Sequence, residues 1–318
     1  MQNLNILFLG GAKRVSMARH FKRAASAMGF QSNIFSYELN DSLPIQAEGT
    51  VIKGLRSSDP RVLEDLRRVC NTHNISIVIP FIDNMVETAH RLAKMDGVTV
   101  FAPTCDNAPM MFDKVVCAQL FESHGIAAPR TWKPGMPVTF PLIAKPRLGS
   151  ASKGIVFVDS QEDLDALDTQ EYLIQERFDN RREFTVDCYA SVLAGDIRIT
   201  ACVPRIRNEV AGGEVTRTTT VHWDRATDLV REVISSLGLR GAITVQLIHD
   251  LDSDRLMVME INPRLGGGAV AAVCAGADIP AMIISEANGT PAAECGDWKD
   301  IIVARYQDEV CFPATNGI

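Results

Sequence analysis

The sequence predicts an α/β part built on a parallel sheet, followed by an α+β part, and three features carry that reading. Over residues 1–110, short apolar runs alternate with helical patterns. Over residues 111–180, the runs shorten and glycine loops separate them. Within residues 181–318, two runs alternate apolar and polar positions around a polar turn. Strands that alternate with helices imply a parallel sheet covered on both faces, whereas period two implies a sheet with only one face in the core.

Residues 5–9 are an apolar strand that ends at Gly10-Gly11. Val15, Ala18, His20, Phe21, Ala24 and Ala25 then mark a helix that stops at Gly29, and residues 32–37 form a second strand. Pro60 opens a helix over 60–70, with Val62, Leu63, Leu66 and Val69 on one face. Residues 75–79 are a β-branched strand, Asp83 opens a helix over 85–95, and residues 98–101 form a strand stopped by Pro103. A helix follows over 113–124, broken at Gly125. Strands are expected at 142–145, 155–158, 172–176 and 184–191, a helix at 226–237, and a hairpin after it. The expected division is therefore 1–110, 111–180 (a small lid-like unit) and 181–318.

Composition narrows the classes. The chain has 318 residues, 46% hydrophobic and 22% charged, about two domains by the usual prior. These values exclude a disordered or collagen-like chain. A net charge of −7 argues against general nucleic-acid binding, which needs a basic surface. The apolar run at 6–9 is too short for a signal segment, and its basic residues follow it instead of preceding it. No stretch is long enough to span a membrane. The eight cysteines contain no CxxC pair, so they are expected as small apolar side chains in a reducing cytoplasm.

Four segments carry chemistry. Gly10-Gly11-Ala12-Lys13-Arg14 joins a strand to a helix. Its amides and cations suit an anion, but a pair of glycines also serves any tight turn. It is neither GxGxxG nor a Walker loop, which leaves an NAD-linked dehydrogenase unsupported. In the second segment, Lys145 ends a strand and precedes a loop of small residues, Gly149, Ser150, Ala151, Ser152, Lys153 and Gly154. Such a loop lets backbone amides approach phosphate closely, though a mobile surface loop would read alike. The third contains Glu176, Phe178 and Glu183 around a charged connector, suited to a base and a ribose or to a solvated hairpin.

The fourth segment says most. Ile243, Val245 and Leu247, then Met257, Met259 and Ile261, place apolar side chains on odd positions, with Gln246, Glu260 and Asn262 on even ones. In an even register these three share one hairpin face, either as a solvated strand face or as hard oxygen donors, the set that Mg²⁺ takes when it keeps positions for phosphate and water; their grouping at one end favours the metal. Arg264 follows as a cation for a transferred phosphoryl group. Arg205, Arg207 and Arg217 alternate in a polar stretch and either line an anionic substrate pocket or guard a sheet edge.

Taken in order, these segments resemble the ATP-grasp superfamily, and most of all single-module proteins related to the carbamoyl-phosphate synthase large subunit. The resemblance runs from the strand-Gly-Gly segment through Lys114, Lys145, the glycine loop and the Glu176/Glu183 connector to Gln246 and Glu260-Ile261-Asn262-Pro263-Arg264. It implies an ATP-grasp fold behind a Rossmann-like, pre-ATP-grasp parallel-sheet domain. It also implies that Lys114 and Lys145 contact ATP phosphates under a lid of Gly149, Ser150, Ser152 and Gly154. Glu176 and Phe178 would flank adenine, and Glu183 would take the ribose. Gln246, Glu260 and Asn262 would hold Mg²⁺, with Mn²⁺ as a substitute, and Arg264 with Lys145 would act in catalysis. The implied reaction activates a carboxylate as an acyl phosphate, which an amine or thiol then displaces. The implied partners are small carboxylates and amines, and a homodimer is compatible. Two other readings share the fold: a kinase-like enzyme that releases the acyl phosphate, and a non-catalytic ATP sensor. Gly266-Gly267-Gly268 after Arg264 departs from the synthase pattern and points to a differently shaped acceptor pocket.

Overall fold

The computed structural model describes residues 3–149, 153–193 and 195–313. Its first sheet holds β1 (Asn3–Leu9), β2 (Gln31–Glu38), β3 (Thr50–Lys53) and β4 (Ile77–Pro80) in the order β3-β2-β1-β4. Every pairing in it is parallel. The crossovers include α1 (Val15–Ala27) and α2 (Val62–Thr72), and α3 (Val86–Ala93) follows β4. Burial on both faces explains why β1 reads as a continuous apolar run. Leu4, Ile6 and Phe8 enter one core with α1, while Leu7 and Leu9 enter another with α2 and α3. Phe8 packs edge-on against Phe21 and Phe81, with centroids 5.6 and 4.7 Å away.

Two expectations for this part differ from the structure. Residues 98–101 do not form a strand. Only Phe101 bridges Ile77, through its amide to Ser76 and its carbonyl to Val78, because in this parallel register residues 98–100 fall opposite the segment before β4 begins. Conversely, β3 was not expected, since four residues are too few to show periodicity.

After α4 (Lys114–Ser123) comes a three-stranded antiparallel sheet of β5 (Leu142–Pro146), β6 (Val156–Val158) and β7 (Tyr172–Glu176), with α5 (Gln161–Asp165) between its last two strands. The third sheet has six strands: β8 (Arg181–Ala190), β9 (Ile199–Ala211), β10 (Glu214–Thr220), β11 (Gly241–Asp250), β12 (Leu256–Asn262) and β13 (Ile302–Ala304). Their order is β12-β11-β8-β9-β10-β13, antiparallel throughout. One face packs on α4 and α6 (Asp224–Ser236) through Val186, Cys188, Ile243, Val245 and Leu247.

The expected odd-numbered apolar face of β12 holds only at Ile261. A bulge at the β11–β12 pairing puts Leu256 and Val258 in the core and leaves Met259 on the opposite side. An extra residue shifts the side-chain phase by one position.

The chain then returns to the first sheet, where α7 (Val270–Ala275) and α8 (Ile279–Ala287) pack in the same core as α1. All eight cysteines are free, and Cys70, Cys117, Cys188 and Cys202 are buried as expected. Cys274 and Cys311 are exposed instead, because each sits where the chain meets solvent. Among the described residues no helix is long and apolar enough to cross a membrane.

Gly241, the first residue of β11, packs closely against the Pro103-Thr104 backbone. Its φ is +91°, and a Cβ there would stand 2.0 Å from the Pro103 carbonyl oxygen. Strain plus overpacking make Gly241→Ala destabilising by at least about 2 kcal/mol. Gly125→Ala, at φ +67° with nothing within 4 Å, is expected to cost only about 1 kcal/mol. Urea unfolding midpoints check the order, and equal midpoints would contradict it.

Candidate active site

The free face of the six-stranded sheet is built by period two. Thr244, Gln246 and Ile248 of β11 point away from the core that holds Ile243, Val245 and Leu247. The register sets Thr244 opposite Asn262 and Gln246 opposite Glu260 on one side. On the other side, Thr244, Gln246 and Ile248 meet Asp187, Thr185 and Glu183. The next strand adds Arg205 opposite Thr185. Four residues of strand rise about 3.4 Å each, so this face runs about 14 Å from Thr244 to Ile248.

This face forms one wall of a cavity of about 650 Å³, and the three-stranded sheet with α4 forms another. Asp113 caps α4 by accepting from the amides of Val115 and Val116, and it also holds Arg147 at 2.6 Å. That double role fixes Lys114 beside the loop, where its Nζ donates to the Gly149 carbonyl at 2.7 Å. Lys145, on β5, donates to the Gln175 Oε1 at 3.0 Å. Ile143, Phe178, Ile248 and Met259 give one end an apolar lining.

The cavity gathers most of the residues singled out in the sequence. Lys114, Lys145, Gly149, Glu176, Phe178, Glu183, Arg205, Arg207, Gln246, Glu260, Asn262 and Arg264 all line it. Ser150 and Ser152 lie outside the described residues. Gly154 sits just behind the lining at φ +73°, where a Cβ would press on Pro146 at 3.0 Å. Arg217 does not line the cavity. It is exposed on β10 opposite Ala304, at the side of the sheet away from β11. Glu176 is already engaged, accepting from the Arg130 amide at 2.7 Å and pairing with Arg255 at 3.0 Å. Arg255 also lies over the Phe178 ring.

Thr185, Asp187 and Thr244 belong to the site beyond the residues singled out in the sequence, and Met259, expected on the core face, lines the cavity instead. The first three follow from the period-two rule once Glu183 and Gln246 are chosen. Met259 depends on the bulge, which has no signature in the residue types.

The oxygen donors form a connected row. Asn262 donates to Glu260 at 2.9 Å and accepts from Arg264 at 3.0 Å, and Arg264 is also paired with Asp83. Gln246 accepts from Arg207 at 3.4 Å. Among the described residues no group of three His, Cys, Asp or Glu side chains could hold a metal by itself. One carboxylate with two amide oxygens instead fits a hard cation whose remaining ligands are phosphate and water.

The family described as "ATP-grasp in the biosynthetic pathway with Ter operon" matches residues 168–310. No curated protein matches the chain in sequence. Three solved structures share its fold. Biotin carboxylase from Campylobacter jejuni, in a β-γ-ATP complex, has a TM-score of 0.71 at 15% identity, covering 91% of this chain and 72% of that one. N5-carboxyaminoimidazole synthetase from Staphylococcus aureus, with ADP, gives 0.72 at 17% identity over 92% of this chain and 80% of its own. The biotin carboxylase domain dimer of 2-oxoglutarate carboxylase from Hydrogenobacter thermophilus, with MgADP, ADP and bicarbonate, gives 0.70 at 15% over 91% and 71%. At these identities the likeness is one of fold. The narrower resemblance to carbamoyl-phosphate synthase rests on the sequence motifs alone.

Lys145 has the most shifted amine at the site. Burial pushes its pKa down to about 8, against the attraction of Glu260, and Lys114 adds repulsion. Below that pH the ammonium form is present and can meet an anion; above it the neutral amine dominates. Acylation of Lys145 by an amine reagent is therefore expected to rise through a midpoint near pH 8. Glu260→Gln removes a charge that favours the ammonium form, so the midpoint moves lower. A midpoint near the ordinary lysine value, or an upward move in the variant, would contradict this electrostatic picture.

Proposed function

We propose that this ATP-grasp protein is an ATP- and Mg²⁺-dependent ligase that joins a small carboxylate to an amine through an acyl phosphate. One observation carries the reading. Two lysines on one wall of the cavity face a row of oxygen donors on the other, Gln246, Glu260 and Asn262. A nucleotide triphosphate with its metal has the charge pattern that such walls complement. The apolar end at Ile143, Phe178, Ile248 and Met259 suits a purine, and Glu183 beside it suits ribose hydroxyls. The neighbours named with ADP or an ATP analogue support the same assignment.

In this reading Lys145 and Lys114 bind the phosphate oxygens, beside Gly149. Mg²⁺, held by Glu260, Asn262 and Gln246, would neutralise the charge that builds on those oxygens. A carboxylate oxygen of the acid attacks the γ-phosphorus, the bond to ADP breaks, and Arg264 steadies the transferred group. The amine nitrogen then attacks the acyl carbon, the bond to phosphate breaks, and the amine proton leaves to solvent. The protein contributes chiefly position and charge.

The test is ADP and free-phosphate release from Mg-ATP across a panel of small acids and amines. Turnover that requires both an acid and an amine is expected. Glu260→Gln should lower kcat by about 100-fold or more with an unchanged circular dichroism spectrum. Full activity in that variant would overturn the metal assignment. ADP release with an acyl phosphate as the only other product would replace the ligase by a kinase.

A further inference from the structure

Six buried side-chain atoms lack a hydrogen-bond partner among the described residues, and four of them belong to the cavity: Nη1 of Arg14, Oγ1 of Thr185, Nη1 of Arg205 and Nε of Arg207. All four can donate. A buried donor left without an acceptor costs about 1–3 kcal/mol, so their convergence on one cavity marks a place where a ligand supplies acceptors. Arg207 already faces Glu183 at 3.6 Å and Gln246 at 3.4 Å. Arg14 and Arg205 are less compensated. Arg205 has Asp187 on its Nε alone, and no salt bridge to Arg14 occurs among the described residues. The carboxylate acting most strongly on Arg14 is Glu214, and Arg305 holds that group at 3.4 Å.

The glycine run explains how both guanidinium groups reach the cavity. A Cβ on Gly267 would stand 3.1 Å from Arg14 Nη1, and one on Gly268 would stand 2.8 Å from Arg205 Cζ. Successive Cα atoms are about 3.8 Å apart, so the two cations converge on one short piece of loop. They sit at the Thr244 end of the sheet face, since Gly266 donates to the Thr244 hydroxyl. The apolar slot lies at the Ile248 end.

We infer that Arg14 and Arg205 bind an oxyanion substituent of the acid substrate, a carboxylate or a phosphate ester, separate from the carboxylate that is activated. The acid is thus at least dianionic. This rests on the ligase reading above for the word substrate, but the anion site stands on its own geometry. The activated carboxylate has to lie near Glu260 and Arg264, between the lysines and this anchor. The second anionic group then meets buried donor atoms of both guanidinium groups, where a charge-assisted hydrogen bond is strong.

Thermal unfolding of the wild type, Arg14→Met and Gly267→Ala, titrated with malonate, inorganic phosphate and Mg-ATP at constant ionic strength, tests the inference. Arg14→Met keeps the aliphatic volume. Gly267→Ala crowds Arg14 without removing it. Saturable stabilisation of the wild type by malonate, by phosphate or by both is expected, and the arm that saturates at lower concentration identifies the substituent. Each variant should need at least tenfold more of that anion, while its Mg-ATP response stays within twofold of the wild type. No saturable response of the wild type to either anion, or equal responses in all three proteins, would overturn the anchor. Loss of the Mg-ATP response in Arg14→Met would also overturn it by assigning Arg14 to the nucleotide. Absence of any Mg-ATP response in the wild type would instead overturn the ligase reading while the anion comparison still decides the anchor.

Discussion

The ion pair between Asp187 and Arg205, 2.6 Å apart with both side chains almost wholly buried, is the constraint on which the site depends. Removing two charges from water is costly, and satisfied lone pairs on the carboxylate offset part of that cost. Asp187 accepts from Arg205 and also from the Thr244 hydroxyl at 3.1 Å, and that hydroxyl accepts from the Gly266 amide at 3.0 Å. One carboxylate thus ties β8, β9, β11 and the loop after β12 together. Arg264, Gly267 and Gly268 take their positions from it. Breaking one partner of such a pair typically costs about 3–5 kcal/mol, so the sheet face and the loop keep one arrangement.

From that fixed point the cavity's charges fall into order. The carboxylate of Glu260 acts on Lys145 across the cavity and on Arg207 beside it. Asn262 links Glu260 to Arg264, which Asp83 holds from the turn after β4. The row therefore ties the six-stranded sheet to the segment that follows the first sheet. Lys145 carries a cost in this arrangement, since burial favours its neutral form, and an arriving polyanion relieves it. Binding of phosphate and the ionisation of Lys145 are thus two sides of one equilibrium.

Much of this was legible in the residues, and the physical reason differs by element. The β11–β12 hairpin shows itself because one of its faces is buried and the other polar, which forces period two and sets Gln246 opposite Glu260. β1 is legible through its glycine stop. The bulge at Met259 left no trace, because a methionine is at home in a core or at a ligand pocket. The strand expected over 98–101 shrank to the Phe101 bridge, since β propensity alone does not supply a partner. Arg217 matched Arg205 and Arg207 by spacing, yet the register shifts in the β9–β10 pairing and its exposed place on β10 leave it outside the cavity. The glycine run makes room for Arg14, more than 250 positions earlier in the chain. Contacts of that separation are set by how sheets pack, and local pattern holds no record of them.

In the proposed function one cavity binds a magnesium nucleotide between Lys114 of α4 and Lys145 of β5 on one side and the oxygen donors of the six-stranded sheet on the other. A crystal structure of the chain with Mg-ADP tests it most directly. The base is expected beside Ile143 and Met259, phosphate oxygens on Lys114 and Lys145, and the metal on Glu260 and Asn262. A nucleotide bound elsewhere, or bound here with the metal on other residues, would contradict it.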